Sequence, residues 1–292
     1  MVKRLITDLD TRLVEASRSI LLEIMTILGA YRKSLILVGG WAPYFIIESF
    51  KSSDDDFIHA GSLDIDIAVN PKKISEVEYK SILKLIEEQN YTHSLDKEGR
   101  AIPYAFEKNI SIPGYKDKQP IEIDFLGPEY GGRGKRKRHQ IVQSELFIRK
   151  ARGIDIVFEH CFMYRLKGKL PKGACNEIEI HVADLVSALT MKGIVLGARY
   201  SEKDAYDIYS LISHYKDGFS SAAETIKPYQ KDKLVNEGIE SIRQKFKTKD
   251  SIGPQWVADF LVGGRESSSE ERQRLVTDSY MQVNEFLTLL SK

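Results

Sequence analysis

The stretch from Leu35 to Val69 constrains the fold of this chain more than any other part of its sequence. It opens with four apolar residues, Leu35 to Val38, which predict a buried strand. Gly39-Gly40 and the amphipathic run from Trp41 to Phe50 follow, and they predict a turn and a helix. After a polar loop, Leu63 to Val69 predicts a second strand. The order of these elements indicates a mixed α/β fold.

The second predicted strand carries two carboxylates on one face. Side chains alternate between the faces of a strand, so Asp64 and Asp66 lie opposite four apolar residues, Leu63, Ile65, Ile67 and Val69. Like charges side by side on a sheet repel each other. A divalent cation between them removes that cost, and Mg2+ is often held by one or two carboxylates plus substrate phosphates. Asp64 and Asp66 are therefore candidate metal ligands.

A third carboxylate follows in the run Ile121 to Leu126, where Glu122 and Asp124 share one face and apolar residues the other. Taken alone, either acidic strand also fits an antiparallel strand with one wet face. The order strand, Gly-Gly, helix, D-x-D strand and later acidic strand is more specific than a lone D-x-D.

These motifs resemble the polymerase-beta-type nucleotidyltransferase superfamily. The resemblance rests on Gly39-Gly40-Trp41-Ala42, on Gly61-Ser62-Leu63-Asp64-Ile65-Asp66 and on Ile123-Asp124. It implies an NTP substrate and two Mg2+ ions, with Mn2+ as an alternative, held by Asp64, Asp66 and Asp124. It also implies that Gly39, Gly40 and Ser62 cradle the triphosphate. Gly40 stands where many members carry a serine that contacts a phosphate. We therefore expect backbone N–H groups at the start of the Trp41 helix to bind the phosphate instead.

Composition sets the bounds on class and location. The chain has 292 residues, enough for two domains, with 42% hydrophobic and 29% charged residues. Its longest apolar-rich run, Leu35 to Ile47, is too short and interrupted to span a bilayer, and the N-terminus shows no secretory pattern. Cys161 and Cys175 lack metal-ligand spacing, which favours a reduced cytoplasmic setting. The net charge is +1, so attraction to nucleic acid must be local.

A block of positive charge follows the predicted Asp124 strand. Its charged residues are Arg133, Lys135, Arg136, Lys137 and Arg138. A mobile solvated loop, a nuclear import signal and a phosphate-binding arm are the alternatives. Because the block comes directly after the Asp124 strand, the functional interpretation is that it binds an RNA acceptor.

The remaining periodicity predicts the other elements. Helices are expected over Thr7 to Arg32, Ile74 to Glu88, Asp184 to Ala198, Glu202 to His214, Lys231 to Lys247, Pro254 to Leu261 and Glu270 to Leu290. Strands are expected over Tyr91 to Leu95, Ile102 to Glu107, Pro120 to Leu126, Ile154 to His160 and Glu177 to Val182. A boundary is expected near Pro171-Lys172-Gly173, which gives a core with an N-terminal helix at 1–175 and a mainly helical domain at 176–292.

A lysine on an apolar helical stripe is the second informative feature. Lys192 shares that stripe with Leu185, Leu189 and Leu196, although a lysine is rarely buried without a partner. Arg199 lies further along the same face. Ser201 and Asp204 have capping-box spacing, and Asp207 lies one turn beyond them. An ion pair between the two helices and a role in phosphate binding are both open for Lys192.

The pattern of Lys192, Arg199 and Lys203-Asp204-x-x-Asp207 resembles AbiE-type toxins of type IV toxin–antitoxin systems, over roughly residues 35 to 212. Some relatives of that group transfer nucleotides to the 3′ end of tRNA. The resemblance implies a catalytic Lys192, nucleotide binding by Lys192, Asp204 and Asp207, and a cognate antitoxin as partner. His59, just before Gly61-Ser62, is either a nucleotide contact or incidental.

The sequence thus predicts an α/β (α+β) protein: a small mixed-sheet nucleotidyltransferase core with flanking helices, followed by a helical C-terminal domain. The expected reaction is transfer of NMP from an NTP to a hydroxyl, with tRNA or another RNA as acceptor and no membrane partner. Two alternatives stay open. One is an enzyme that modifies an aminoglycoside- or lincosamide-type antibiotic, and the other is a non-catalytic module that binds a nucleotide or a partner.

Overall fold

A computed structural model describes the chain except for residues 1–4, 75, 130–138, 142–146 and 264–267, and it describes 76–81 and 139–141 by their backbone alone. The chain forms two compact units. The sheet unit comprises Asp10–Trp41 and Ser62–Ala183. The helical unit comprises Met1–Leu9, Ala42–Gly61 and Asp184–Lys292. The units therefore divide after Ala183, eight residues beyond the sequence-based boundary at 175, and the segment 42–61 belongs with the C-terminal helices.

The predicted fold class is confirmed: the structure has a mixed sheet, flanking helices and a helical C-terminal region. In chain order the described elements are α1 (Thr11–Ile27), β1 (Leu35–Val38), α2 (Trp41–Phe50), β2 (Ile65–Val69), α3 (Glu76–Glu88), β3 (Thr92–Leu95), β4 (Ala101–Ile110), β5 (Gln119–Gly127), β6 (His139–Ile141), β7 (Phe147–Lys150), α4 (Ile154–Val157), β8 (Cys161–Lys169), β9 (Cys175–Ala183), α5 (Leu185–Ala198), α6 (Glu202–His214), α7 (Phe219–Ile226), α8 (Lys233–Lys245), α9 (Ile252–Val262) and α10 (Ser269–Ser291).

The strands of the described residues form one sheet with the order β3-β4-β5-β2-β1-β9-β8, and β7 and β6 extend it beside β5. The neighbours β2 and β5 are parallel, as are β1 and β9, whereas β1 pairs with β2 in the antiparallel sense. This mixed pairing places β2 and β5, which carry the acidic residues, at the centre of the sheet.

Alternation of apolar and acidic residues holds these two strands in place. Ile65 and Ile67 of β2 are fully buried, as are Ile123 and Phe125 of β5. Helix α1, whose Ile20, Leu21 and Ile24 are buried, packs against β5, β8 and β9. Because a slip of one residue would turn every side chain to the other face, burial of the apolar residues fixes where the acids project.

Helix α1 is shorter than predicted. Asp10 caps its start by accepting a hydrogen bond from the Arg12 backbone N–H, and short 3-10 turns at Ile6–Asp8 and Gly29–Ser34 flank it. In the helical unit, Asp184 caps α5 and Ser201 caps α6 through hydrogen bonds from Ser187 N–H and Asp204 N–H. The predicted helix start at Ser201 is thus confirmed.

The predicted strand over Ile154 to His160 is wrong. The segment forms the short helix α4 after Gly153, which has a φ of +89°, and Ile154 and Val157 are buried. A short apolar run does not distinguish a strand from a helix by periodicity, and here the turn at Gly153 sets the outcome. Strands β6, β7 and β8 and helix α7 were not predicted.

Two further expectations concern the chain as a whole. Within the described parts, no helix combines the length and apolar character that crossing a membrane requires. Cys161 and Cys175 are both free thiols.

Candidate functional site

Two of the three predicted acids lie directly opposite each other. In the parallel pairing of β2 and β5, Asp66 is the partner of Asp124, and Ile65 is the partner of Ile123. Neighbouring strands lie about 4.8 Å apart, and paired residues project to the same face. The carboxylates of Asp66 and Asp124 therefore share one half-buried patch of the sheet. Asp64 lies in the bend immediately before β2, so the observed strand starts two residues later than predicted.

The Gly39-Gly40 turn lies against this patch. Gly39 has a φ of +67°, and a Cβ added to it would lie 2.0 Å from Asp66 Oδ2. A Cβ on Gly40 would lie 2.5 Å from Ser62 Oγ. Any side chain at either position would displace Asp66 or Ser62, so both glycines are required for the close approach of the turn. Trp41, the first residue of α2, fixes the end of the turn by donating its indole N–H to Ser17 Oγ over 3.2 Å.

Ser62 lies between the turn and the acids. It is buried, and its hydroxyl donates to the backbone carbonyl oxygen of Asp64 over 3.1 Å. In this arrangement its proton is already used within the chain. A phosphate contact by Ser62 requires that hydrogen bond to be exchanged, and the role stays a prediction.

Negative charge accumulates at Asp124. Burial and the charge of Asp66 raise the pKa of Asp124 to about 7, with smaller contributions from Glu122 and Asp64. The Arg149 guanidinium opposes this rise, because its Nη2 donates to Asp124 Oδ2 over 3.1 Å. A raised pKa for a carboxyl group means that the fold disfavours its charged form. The patch therefore favours a cation beside Asp124.

The donor set fits a metal held jointly by protein and substrate. Among the described residues, no group of three His, Cys, Asp or Glu side chains forms a complete metal cage. Mg2+ seldom uses such cages and is typically bound by one or two carboxylates with water and phosphate oxygens. Asp66 and Asp124, paired across adjacent strands with Asp64 two residues away, offer that kind of partial site.

The helical unit holds the second predicted group together. Lys192 Nζ lies 2.7 Å from Asp204 Oδ1 and 2.6 Å from Asp207 Oδ2, so the expected ion pair between α5 and α6 is present. Arg199 also pairs with Asp204, at 3.0 Å, and Lys203 pairs with Asp207. Burial lowers the pKa of Lys192, but the two carboxylates raise it more, and the net direction is upward. The lysine is charged and neutralised within the unit, and its role in phosphate binding stays a prediction.

His59 belongs to the same cluster. Its Nδ1 accepts from the Gly61 backbone N–H over 3.1 Å, which leaves Nε2–H to donate to Asp207 Oδ1 over 3.0 Å. The Ala60 N–H donates to the Tyr206 hydroxyl oxygen over 3.0 Å. Burial and the nearby charge of Lys203 lower the pKa of His59 to about 4, so it is neutral at neutral pH. These contacts give the histidine a structural role as an anchor of residues 59–61.

The predicted acceptor-binding residues Arg133, Lys135, Arg136, Lys137 and Arg138 lie outside the described residues. The structure adds Arg149, which sequence analysis did not select. Phe147–Lys150 is short and lacks a clear alternation, so its pairing with β5 was not visible from the sequence. No signal in the sequence pointed to it, because its contact with Asp124 depends on the pairing of β7 with β5.

Comparison with known proteins gives no family. No family model matches the chain, and no curated protein matches it. A solved structure titled "Crystal structure of JHP933 from Helicobacter pylori" is 13% identical, covers 94% of this chain and 93% of its own, and has a TM-score of 0.38. A likeness this distant supports no statement about activity.

Proposed function

We propose that this chain is a metal-dependent nucleotidyltransferase that transfers NMP from an NTP to a hydroxyl and releases pyrophosphate. One observation carries the proposal: Asp66 and Asp124 are paired across parallel strands, with the Gly39 backbone against the Asp66 carboxylate. Two glycines without side chains let the backbone of the turn approach the carboxylate of Asp66 and the hydroxyl of Ser62, which would bring backbone N–H groups close to a triphosphate bound at the acids. The resemblance of the motifs to polymerase-beta-type enzymes points to the same chemistry.

Each group has a proposed part in the reaction. Asp64, Asp66 and Asp124 would hold the two ions, and the ions would supply charge stabilisation for the attacking and leaving oxygens. Gly39 and Gly40 carry no side chain and pack closely against Asp66 and Ser62, so backbone N–H groups of the turn would bind the triphosphate. Asp124 would either hold an ion or accept the proton of the acceptor hydroxyl.

The cluster of Lys192, Asp204 and Asp207 enters the proposal through the resemblance to AbiE-type toxins. That resemblance implies that the cluster binds the nucleotide and that Lys192 neutralises phosphate charge. The same likeness supports tRNA or another RNA as acceptor, a cytoplasmic location and an antitoxin as partner. The basic run Arg133 to Arg138 supports a polyanionic acceptor on grounds of charge.

The second candidate function keeps the chemistry and changes the acceptor to an aminoglycoside- or lincosamide-type antibiotic. A cationic antibiotic favours acidic surroundings, whereas the basic run favours RNA. The test is incubation with each α-labelled NTP and Mg2+ in the presence of total tRNA, an aminoglycoside or a lincosamide. We expect label on tRNA. Label on an antibiotic alone would establish the second candidate, and no label on any acceptor would favour a binding module.

A further inference from the structure

Arg149 is a cation that contacts the acidic patch at Asp124. It lies on β7, and its guanidinium donates to Asp124 Oδ2 over 3.1 Å. The guanidinium carbon lies 5.6 Å from the centre of the Tyr104 ring on β4, within the range of a cation–π contact. Charge and an aromatic surface are thus combined beside the third acid.

The Arg149–Asp124 pair is easily exchanged. The side chains remain 41% and 26% exposed, and a pair this open to solvent contributes little to stability. A single hydrogen bond joins them, whereas arginine–carboxylate pairs are strongest when two parallel bonds form. Arg149 Nε is buried and has no hydrogen-bond acceptor among the described residues. An unsatisfied buried donor favours any movement that gives it an oxygen partner.

The position of Arg149 separates it from the glycine turn. Leu126 of β5 pairs with Ala68 of β2 and also with Arg149 of β7. A strand residue has one partner on each edge, so β7 lies on the edge of β5 opposite to β2. The turn at Gly39 follows β1, which lies beyond β2. The acids therefore have the glycine turn on one side and Arg149 with Tyr104 on the other.

We propose that Arg149 is an acceptor-binding and specificity-determining residue: it pairs with Asp124 before substrates bind, is released when a divalent cation takes Asp124, and then binds a phosphate group of the acceptor. This inference rests on the proposed function, because the glycine turn must take the triphosphate for the Arg149 side to receive the acceptor. A guanidinium matches the two oxygens of a phosphodiester in a planar, two-bond geometry. Tyr104 adds a ring surface on which a base can stack.

The first consequence concerns metal binding and needs no turnover. Arg149 and a divalent cation compete for Asp124, so removing the arginine strengthens metal binding. Mn2+ is titrated into the ligand-free protein and the free ion is followed by electron paramagnetic resonance. We expect Arg149→Gln to bind Mn2+ severalfold more tightly than the wild type. Arg165→Gln is the matched control, because Arg165 pairs with Glu177 on the β8–β9 hairpin, and we expect it to leave Mn2+ binding unchanged.

Three outcomes of that titration would overturn the proposal. Weaker Mn2+ binding in Arg149→Gln would show that the arginine only positions Asp124. Equal binding in the variant and the wild type would show that the two cations do not compete. No Mn2+ binding in either protein would overturn the metal site together with this proposal.

The second consequence concerns the acceptor. The probes are the ribotrinucleotide CCA and the same trinucleotide with its last phosphodiester replaced by a neutral methylphosphonate, each bound in Mg2+ with a non-hydrolysable NTP analogue. In the wild type, neutralising the phosphate should weaken binding about tenfold or more, the usual effect of one charge-assisted hydrogen bond. In Arg149→Gln the two probes should bind alike, and Arg149→Lys should recover part of the difference.

Equal discrimination by wild type and Arg149→Gln, or no discrimination by the wild type, would overturn the role of Arg149 in acceptor binding. These are binding measurements, so their failure is distinct from failure of the proposed function. The latter is shown separately by the transfer of label from an NTP.

Discussion

Asp66 and Asp124 occupy paired positions on the parallel strands β2 and β5, although they are 58 positions apart along the chain. The apolar faces of the two strands are buried, so both carboxylates project to the same patch. Burial and mutual repulsion make the patch unfavourable without a cation, as the raised pKa of Asp124 shows. Its composition is therefore better suited to binding a metal than to stabilising the fold.

The first prediction concerns the three acids. Asp64→Asn, Asp66→Asn and Asp124→Asn should each lower nucleotide transfer by orders of magnitude. In EDTA at neutral pH their melting temperatures should hold or rise, because the repulsion at Asp124 is relieved. Glu122→Gln is the matched control: Glu122 lies on the same strand and face as Asp124 but is exposed, and its variant should retain activity. Clear destabilisation of the Asn variants with activity retained would show that the acids are structural.

The second prediction concerns the close approach of the turn to Asp66. Gly39→Ala should lose about 1–2 kcal/mol from its left-handed backbone and about 1–3 kcal/mol more from the clash with Asp66. Gly99→Ala is the control, since Gly99 has a φ of +77° and nothing within 4 Å of an added Cβ. Urea unfolding measures both losses, and Mn2+ binding reports the displaced carboxylate. Equal losses in the two variants would show that Gly39 is needed for its backbone conformation alone.

The third prediction is a dependence of stability on pH caused by His59. Its pKa is about 4 in the folded protein and near 6.5 when unfolded, so the unfolded chain binds more protons between these values. Stability should fall as the pH drops from 6.5 to 4, by up to about 3 kcal/mol from this group. Protonated His59 would face the charges of Lys203 and Lys192. Urea unfolding of wild type and His59→Gln at both pH values should show a smaller loss in the variant. An equal loss of stability in both proteins would show that titratable groups other than His59 cause it.

The fourth prediction separates the two interpretations of Lys192. Lys192→Ala leaves Asp204 with Arg199 and Asp207 with Lys203, so the loss of stability should be about 3 kcal/mol, at the lower end for a broken buried pair. If Lys192 also binds phosphate, the folded variant should have a raised KM for NTP. A normal KM in the folded variant would limit Lys192 to its ion pairs.

Much of the fold followed from local pattern. Alternation placed Asp66 and Asp124 opposite the buried faces of their strands, and the lysine on an apolar stripe led to the ion pair between α5 and α6. The register between β2 and β5 could not be predicted from the sequence, because it depends on packing between segments distant in the chain. The same limit hid Arg149, whose contact with Asp124 comes from the pairing of β7 with β5.

Two other segments, β8 and the run at Ile154, were not assigned correctly from the sequence. The exposed end of β8, with Lys167, Gly168 and Lys169, has the composition of a loop and becomes a strand by pairing with β9. The apolar run at Ile154 was assigned the wrong class because the left-handed turn at Gly153 decides its direction. Tertiary pairing and backbone turns, which periodicity does not record, account for both cases.

The fifth prediction, and the most direct test of the central claim, follows the phosphates of the substrate. The purified chain is incubated with Mg2+, total tRNA and each NTP labelled on either the α or the γ phosphorus, with Asp66→Asn as control. The account predicts that α label becomes attached to tRNA, that γ label leaves as pyrophosphate, and that both signals disappear in the variant or in EDTA. Transfer of γ label to the acceptor would make the chain a phosphotransferase. Transfer of α label by Asp66→Asn at the wild-type rate would contradict the assignment of the acidic patch as the reaction centre.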